Sequence, residues 1–368
     1  FLMIRRPPRS TLDRSSAASD VYKRQQELDE FTGIKKSKKI NTGQSNPTYL
    51  LETAEKKYVL RKKPPGELLP SAHAVDREYR IIKALEETKV PVPRTVFLCN
   101  DESIIGTIFY VMEFVDGRIF WDPTLPEIDE NKRMKVYEET VRIMAELHKI
   151  DVEKAGLLDF GKPGNYFERQ VGRWIKQYRA AETESYPEVE TLIAWLEKTM
   201  PDDDGLISIV HGDYRLYNMI FDHEEESMLA LLDWELSTIG HPYADLAYQC
   251  MNWYIPQIGI TPGLAGINLE KLGIPSEDDY VSNYCSKMGI NSIPNWSFYL
   301  AFGFFRLAGI AQGVYKRSIQ GNASADNAKE LGAAVPILGK IALSVVGRDN
   351  ASVSYTHLRA HETLRYLV

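Results

Sequence analysis

The sequence predicts an α+β fold in two lobes: a small lobe built on an antiparallel sheet with one main helix, then a larger, mainly helical lobe. Two observations lead there. From Gly33 to Val115 the text is strand-like with a single helical stretch, and after Gly117 helical periodicity takes over. In the first part "YLLET" and "KYVLRK" flank a charged turn at 54–57, the pattern of a hairpin. "SAHAVDREYRIIKALEET" follows, with Val75, Tyr79, Ile82 and Leu85 at helical spacing. "PVPRTVFLCND" and "GTIFYVMEFVDGR" read as two further strands. Beyond them "NKRMKVYEETVRIMAELHKID" repeats apolar residues at Val136, Val141, Met144 and Leu147, and 166–181 and 189–200 behave alike. "SIVHGDYRLYNMIFD" interrupts this run as strand, loop, strand, and "NMIF" with "LALLDW" suits a hairpin around 222–227. Helices resume near Asp245 and end in an apolar block between Trp296 and Val346. These boundaries give a first lobe over 26–115 and a second over 116–350.

At 368 residues with 44% apolar content the chain can bury a sizeable core. Lys and Arg number 44 against 51 Asp and Glu, a net charge of -7, so a sequence-independent grip on nucleic acid is not expected. Cys99, Cys250 and Cys285 are odd in number and lack CxxC spacing, which suits buried thiols in a reducing compartment and a cytoplasmic location. The most apolar stretch, 298–311, is broken by Arg306 and reads as a buried helix, so no membrane association is expected. Residues 1–25 are rich in Arg and Ser and lack a long apolar run; with 354–368 they resemble translated sequencing-adapter text and are expected to be non-native tails.

His211, Asp213, Asn218 and Asp233 place one imidazole, two carboxylates and one amide within a short span at strand ends. Mg²⁺ takes oxygen ligands and uses only one or two carboxylates beside substrate phosphates, so Asn218 and Asp233 suit metal ligation. Asp213 is then left to face an attacking hydroxyl. The spacing sharpens this, because H-x-D-x-x-x-x-N is the catalytic-loop pattern of protein kinases, and a later Asp at a strand end, here Asp233 in "LLDWE", holds metal.

"IVHGDYRLYNMIF" with "LLDWELSTIGHPYADLAY" resembles the aminoglycoside phosphotransferase and choline kinase superfamily, small-molecule kinases of protein-kinase-like fold. The resemblance is strongest to the kinase-like N-terminal domain of certain acyl-CoA dehydrogenase family members and to stand-alone bacterial proteins. It implies a flap over ATP phosphates at "NTGQSN", involving Gly43, Gln44, Ser45 and Asn46, although a single glycine also suits an ordinary turn. It implies a phosphate-holding cation on the third strand. Strand alternation favours Arg61 and leaves Lys62 and Lys63 as alternatives. Glu78 on the following helix would pair with that cation, or lie exposed. "MEFV", with Glu113 and Val115, would be the hinge whose backbone bonds adenine. His211 is read as a structural, hydrogen-bonded histidine, the alternative being a metal ligand with His241. Asp245 would brace the catalytic loop, the alternative being a helix N-cap, and Glu235 would reach the metal or solvent.

The function expected is an ATP- and Mg²⁺-dependent phosphotransferase acting on a hydroxyl of a small molecule. The resemblance implies a hydroxyacyl-CoA, with "RKKPPGELLPSAH" as a candidate grip on its phosphates. The alternatives are an aminoglycoside phosphotransferase, a pseudokinase that binds nucleotide without turnover, and a metal-dependent phosphatase.

Overall fold

In the computed structural model the described residues are 33–40, 46–64, 74–257, 262–320 and 328–350. The expected tails, the flap residues Gly43, Gln44 and Ser45, and part of "RKKPPGELLPSAH" lie outside them. The chain divides into two compact units. One holds the described residues up to Arg118 with Ile220–His223 and Leu229–Ser237, and the other holds Ile119–Met219, Glu224–Met228 and the described residues from Thr238 onward.

The first unit is an antiparallel sheet of β1 (Lys36–Ile40), β2 (Thr48–Glu52), β3 (Lys57–Lys62), β4 (Thr95–Cys99) and β5 (Phe109–Glu113), in the order β1-β2-β3-β5-β4. The hairpin expected from "YLLET" and "KYVLRK" forms with Glu52 opposite Lys57 and Thr48 opposite Arg61. Leu51, Tyr58, Phe109 and Val111 form its core, with Leu60, Val96 and Phe97 packed against them. Helix α1 (Val75–Leu85) buries Val75, Ile81, Ile82 and Leu85 against β4, β5 and the 3-10 turn Trp234–Leu236. Edge strand β1 escapes sequence reading because "KSKKI" has a single apolar residue. Residues 36–39 are exposed and Ile40 is half-buried, and the lysines guard an edge that could otherwise pair with another chain.

The second unit is built on α2 (Glu130–His148), α3 (Tyr166–Ala181), α4 (Pro187–Lys198), α5 (Tyr243–Cys250), α6 (Leu269–Leu272), α7 (Glu277–Met288), α8 (Trp296–Ile319) and α9 (Ala328–Asn350). Helix α4 begins at Pro187, whose missing N–H suits the first helical position. Helix α8 is long and apolar enough to cross a bilayer, yet it is mostly buried inside the protein, packed on α3, α4, α5 and α9. Phe167 of α3 meets Phe298, Tyr299 and Phe302 of α8 at ring-centroid distances of 5.7, 4.8 and 5.5 Å. Short strand β6 (Ser208–Val210) pairs with β9 (Thr238–Gly240), a strand too short to leave a period in the sequence. The hairpin around 222–227, formed from β7 (Met219–Phe221) and β8 (Met228–Leu231), has most of its strand residues in the first unit.

Gly117 is needed where the chain leaves the sheet, since a Cβ there would lie 2.3 Å from the Phe221 carbonyl oxygen. Arg118 exchanges both backbone hydrogen bonds with Phe221, at 2.7 and 2.8 Å, so neither segment can retreat without breaking them. Gly117→Ala is expected to lower stability by about 1–3 kcal/mol, read as a lower urea midpoint with an unchanged slope.

Candidate active site

Each unit carries one group of the residues singled out above, and each is built from local geometry. In the first unit Arg61 sits on β3, flanked by Thr48 of β2 and Tyr110 of β5. Its Nη1 lies 2.9 Å from Glu78 Oε1 on α1, and its Nη2 lies 3.3 Å from Asp233 Oδ1 and 4.0 Å from Glu235 Oε2. Lys62 instead places its Nζ 5.8 Å from the Tyr49 ring centre, so Arg61 rather than Lys62 faces the carboxylates. Asn46 Nδ2 donates to Glu235 at 3.5 Å, which ties the described end of the flap segment to the same cluster.

Asp233, two residues past the end of β8, lies in the left-handed region at φ 64° and ψ 61°. Such backbone costs a non-glycine residue free energy and clusters at functional sites. Buried Trp234 holds the turn, its Nε1 donating to the Leu231 carbonyl at 2.9 Å, while Asp233 stays 34% exposed. One guanidinium thus faces three carboxylates, Glu78, Asp233 and Glu235. That leaves an excess of two negative charges, a donor chemistry that suits a divalent cation on the more exposed oxygens of Asp233 and Glu235. Glu78 is 1% exposed, and burial pushes its carboxyl up to about 7 against the opposing pull of Arg61. Burial likewise raises the Tyr110 hydroxyl beside it.

The hinge candidates belong to the same unit. The amide of Glu113 donates to Arg94 O at 2.8 Å and that of Phe114 to Lys57 O at 3.1 Å. The Glu113 carboxylate turns to the surface, 3.6 Å from Lys56 Nζ and 3.9 Å from Arg94 Nη1. Val115 lies beyond β5, and its backbone groups make no hydrogen bond among the described residues.

In the second unit β6 delivers a loop that turns at Gly212, φ 86°. Asp245, buried in the first turn of α5, accepts the His211 amide at 2.6 Å and the Gly212 amide at 2.8 Å. It braces the loop and does not cap its own helix, whose N-cap is Pro242. Burial alone would raise the Asp245 carboxyl. His148, with Nε2 at 3.5 Å, and the loop amides outweigh that and hold it below the usual range. His211 is fully buried, its Nδ1 accepting the Asp213 amide at 3.2 Å. It holds the loop's shape. His241 is committed to Asp204 at 3.2 Å, and among the described residues no cluster of three or more His, Cys, Asp and Glu side chains is placed to hold a metal.

Asp213 is fixed from both oxygens. Asn218 Nδ2 donates to its Oδ2 at 3.0 Å and to its carbonyl at 2.9 Å, and Arg215 Nε lies 3.1 Å from Oδ1. With its amide nitrogen committed, Asn218 is left with its carbonyl oxygen, the donor a hard cation prefers. Asn218 and Asp233 therefore each fit, within their own unit, the oxygen chemistry of Mg²⁺.

Some contacts of this loop are not visible in the sequence. Within "YRLY" Tyr214 donates its hydroxyl to Thr140 O at 2.7 Å and Leu216 is buried, while Arg215 turns to Asp213 and to Tyr248, 4.3 Å from that ring centre. Alternation along a short extended stretch was the available signal. Arg306, the charge inside the apolar stretch of α8, donates to Gly212 O at 2.7 Å. A lone guanidinium in an apolar helix signals a buried acceptor but does not say which.

The model of the phosphotransferase enzyme family, APH, matches residues 36–264. The chain belongs to that family. It is 44% identical over 360 residues to acyl-CoA dehydrogenase family member 10 of Mus musculus, covering 98% of the chain and 34% of the relative. This phosphotransferase-family chain therefore spans about a third of the length of that curated relative. A solved structure described as a "putative aminoglycoside phosphotransferase" of Ralstonia eutropha JMP134 aligns at TM-score 0.81 and 43% identity, covering 91% of this chain and 98% of that one. At 12% identity, likeness of fold alone extends to choline kinase of Cryptosporidium parvum Iowa II, TM-score 0.60 over 90% of this chain and 97% of that one. It also extends to a thermostable mutant of APH(4)-Ia, solved with AMP-PNP and hygromycin B, TM-score 0.57 over 92% of this chain and 100% of that one. The α+β, protein-kinase-like fold and the kinship with small-molecule phosphotransferases expected from the sequence are thus both found.

The Glu78 shift has a consequence for stability. Its folded value lies above the ordinary value of 4.5, so between about pH 4.5 and 7 the folded protein keeps a proton that the unfolded chain has lost. Stability is therefore lost as pH rises through this window. Nucleotide-free protein is expected to lose on the order of 3 kcal/mol relative to Glu78→Gln between about pH 5 and about pH 8, measured by urea unfolding at both pH values.

Proposed function

We propose that the protein is an ATP- and Mg²⁺-dependent kinase that transfers the γ-phosphoryl group to a hydroxyl of a small molecule, a hydroxyacyl-CoA in the first instance. The observation that carries the reaction type is the Asp213 carboxylate, locked by Asn218 and Arg215 on a loop braced by Asp245. Phosphoryl transfer asks the protein for positioning and charge neutralisation more than for covalent chemistry. Mg²⁺ bound to the nucleotide would neutralise charge on the phosphate oxygens, with Asn218 and Asp233 as its protein ligands.

The protein's own groups divide the remaining tasks. Asp213, with both oxygens already oriented, accepts the hydrogen bond of the acceptor hydroxyl and turns that oxygen toward phosphorus. Arg61, held by Glu78, presents a fixed cation to the nucleotide phosphates. Val115 offers its unengaged backbone groups to the adenine edge. The acceptor class is supported by the relative named as an acyl-CoA dehydrogenase family member. An aminoglycoside remains in the test because a structure 43% identical is described in those terms.

The test uses radiolabelled ATP with a panel of hydroxyacyl-CoA esters, aminoglycosides, choline and homoserine. Label is expected on a hydroxyacyl-CoA. Asp213→Asn should retain MgATP binding and lower kcat by about 10²–10⁴, whereas Asp233→Ala should lose Mg²⁺-dependent nucleotide binding. Undiminished turnover in both variants overturns the mechanism. Nucleotide binding without transfer to any acceptor would identify a pseudokinase.

A further inference from the structure

Helix α3 carries Arg169, Arg173 and Lys176 along one stripe, and Lys162 joins them from the preceding loop. These four cations line a cavity of about 790 Å³ with two carboxylates, Glu168 and Asp203. The local charge is positive in a chain whose net charge is -7, so the groove inverts the sign of the protein as a whole. Asp203 is already engaged, accepting the Asn165 amide at 3.0 Å. Arg169 spends one Nη2 hydrogen bond on the Lys162 carbonyl. None of the four cations forms an ion pair with a carboxylate among the described residues. On the same helix Arg179 does, pairing with Glu190 and Glu182, so the unpaired state is a property of the stripe and not of the helix.

Gly172 opens the floor of the groove. A Cβ there would meet nothing within 4 Å, and glycine inside a helix costs about 0.5–1 kcal/mol relative to alanine. A side chain at this position would project into the cavity. The volume lies within the range of small-molecule sites, roughly 300–1,000 Å³, and exceeds the need of a single inorganic phosphate.

The groove is also mechanically joined to the catalytic loop within the same unit. The ring of Trp174, next to Arg173, lies 5.8 Å from the Arg306 guanidinium, and Arg306 donates to the Gly212 carbonyl beside Asp213. A helix with its side chains is about 10–12 Å across, so the stripe on the outer side of α3 and Asp213 are separated by roughly one helix width and one side chain, ~20 Å. An acceptor whose reactive hydroxyl and anionic groups sit at opposite ends of a long flexible arm has that geometry.

We infer that the basic groove on α3 binds the phosphates at the nucleotide end of a coenzyme A thioester acceptor. This rests on the acceptor class proposed above. Arg169 and Arg173 supply planar donor pairs suited to phosphate oxygens, and Lys162 and Lys176 add point charge at the edges.

The experiment has a binding arm and a kinetic arm. Adenosine 3′,5′-bisphosphate is titrated by calorimetry into protein saturated with MgADP, which fills the other nucleotide site. Wild type is expected to bind, and Arg169→Glu/Arg173→Glu to bind at least tenfold more weakly. Lys154→Glu, a remote surface charge reversal, should match wild type. Equal binding by the double variant, or inorganic phosphate binding as tightly as the bisphosphate, overturns the assignment. In the kinetic arm the double variant should raise KM for a hydroxyacyl-CoA at least tenfold, with KM unchanged for MgATP and for the matching hydroxyacyl-pantetheine, which lacks the nucleotide. The milder Arg169→Gln/Arg173→Gln pair repeats both arms if charge reversal impairs folding. An unchanged KM for the CoA ester overturns the groove and leaves the acceptor class standing. Tight bisphosphate binding in the groove without turnover of any CoA ester overturns the acceptor class and leaves the groove as a nucleotide-phosphate site.

Discussion

The buried carboxylate of Asp245 is the constraint on which the loop carrying His211, Asp213 and Asn218 depends. A charge removed from water is tolerated only where donors replace the lost hydration, and here the amides of His211 and Gly212 do so at 2.6 and 2.8 Å. The pairing works in both directions. Two loop amides that would otherwise be orphaned inside the protein gain an acceptor, and the loop can then turn at Gly212 in a conformation open to glycine. Everything downstream inherits that geometry: Asp213 leaves the turn in one orientation, Arg215 and Asn218 reach its two oxygens, and Arg306 closes on the carbonyl that Gly212 presents.

The first unit solves the opposite problem. There the charges are left unbalanced, with one arginine for three carboxylates, and the imbalance falls partly on a group that cannot be hydrated, Glu78. Its carboxyl responds by holding its proton further up the pH scale, while Asp233 and Glu235, nearer solvent, remain available to a cation. The strained backbone of Asp233 belongs to the same arrangement. A left-handed aspartate is unfavourable by itself and persists because the buried Trp234 turn and the Arg61 contact determine it from both sides.

Much of this could be read from residues. The hairpin of β2 and β3, helix α1, the helices at 130–148, 166–181 and 187–198, and the hairpin at 222–227 follow from periods of two and 3.6 and from turn chemistry, which are local properties. Strand β1 could not, because its exposed lysines carry no apolar period, and β9 could not, because three residues are too few to show one. Arg61 could be favoured over its neighbours by strand alternation, but its partners, 17 and 172 residues away in sequence, leave no local trace.

By itself the sequence determined residue types and a spacing, Asp213, Asn218 and Asp233, that match the protein-kinase catalytic pattern, and it determined most of the segments that would be strand or helix. Tertiary structure alone decided the contacts: Asp245 accepts two loop amides and is not an N-cap, His211 accepts the Asp213 amide, and Glu78 is a buried partner of Arg61 and not an exposed helix residue. It also decided that Arg215 turns to Asp213 and that four cations around α3 share one groove. The physical reason is the range of the forces. Propensity and hydrophobic period act between near neighbours in the chain, whereas desolvation and charge pairing depend on which distant groups the packed core brings within a few ångströms.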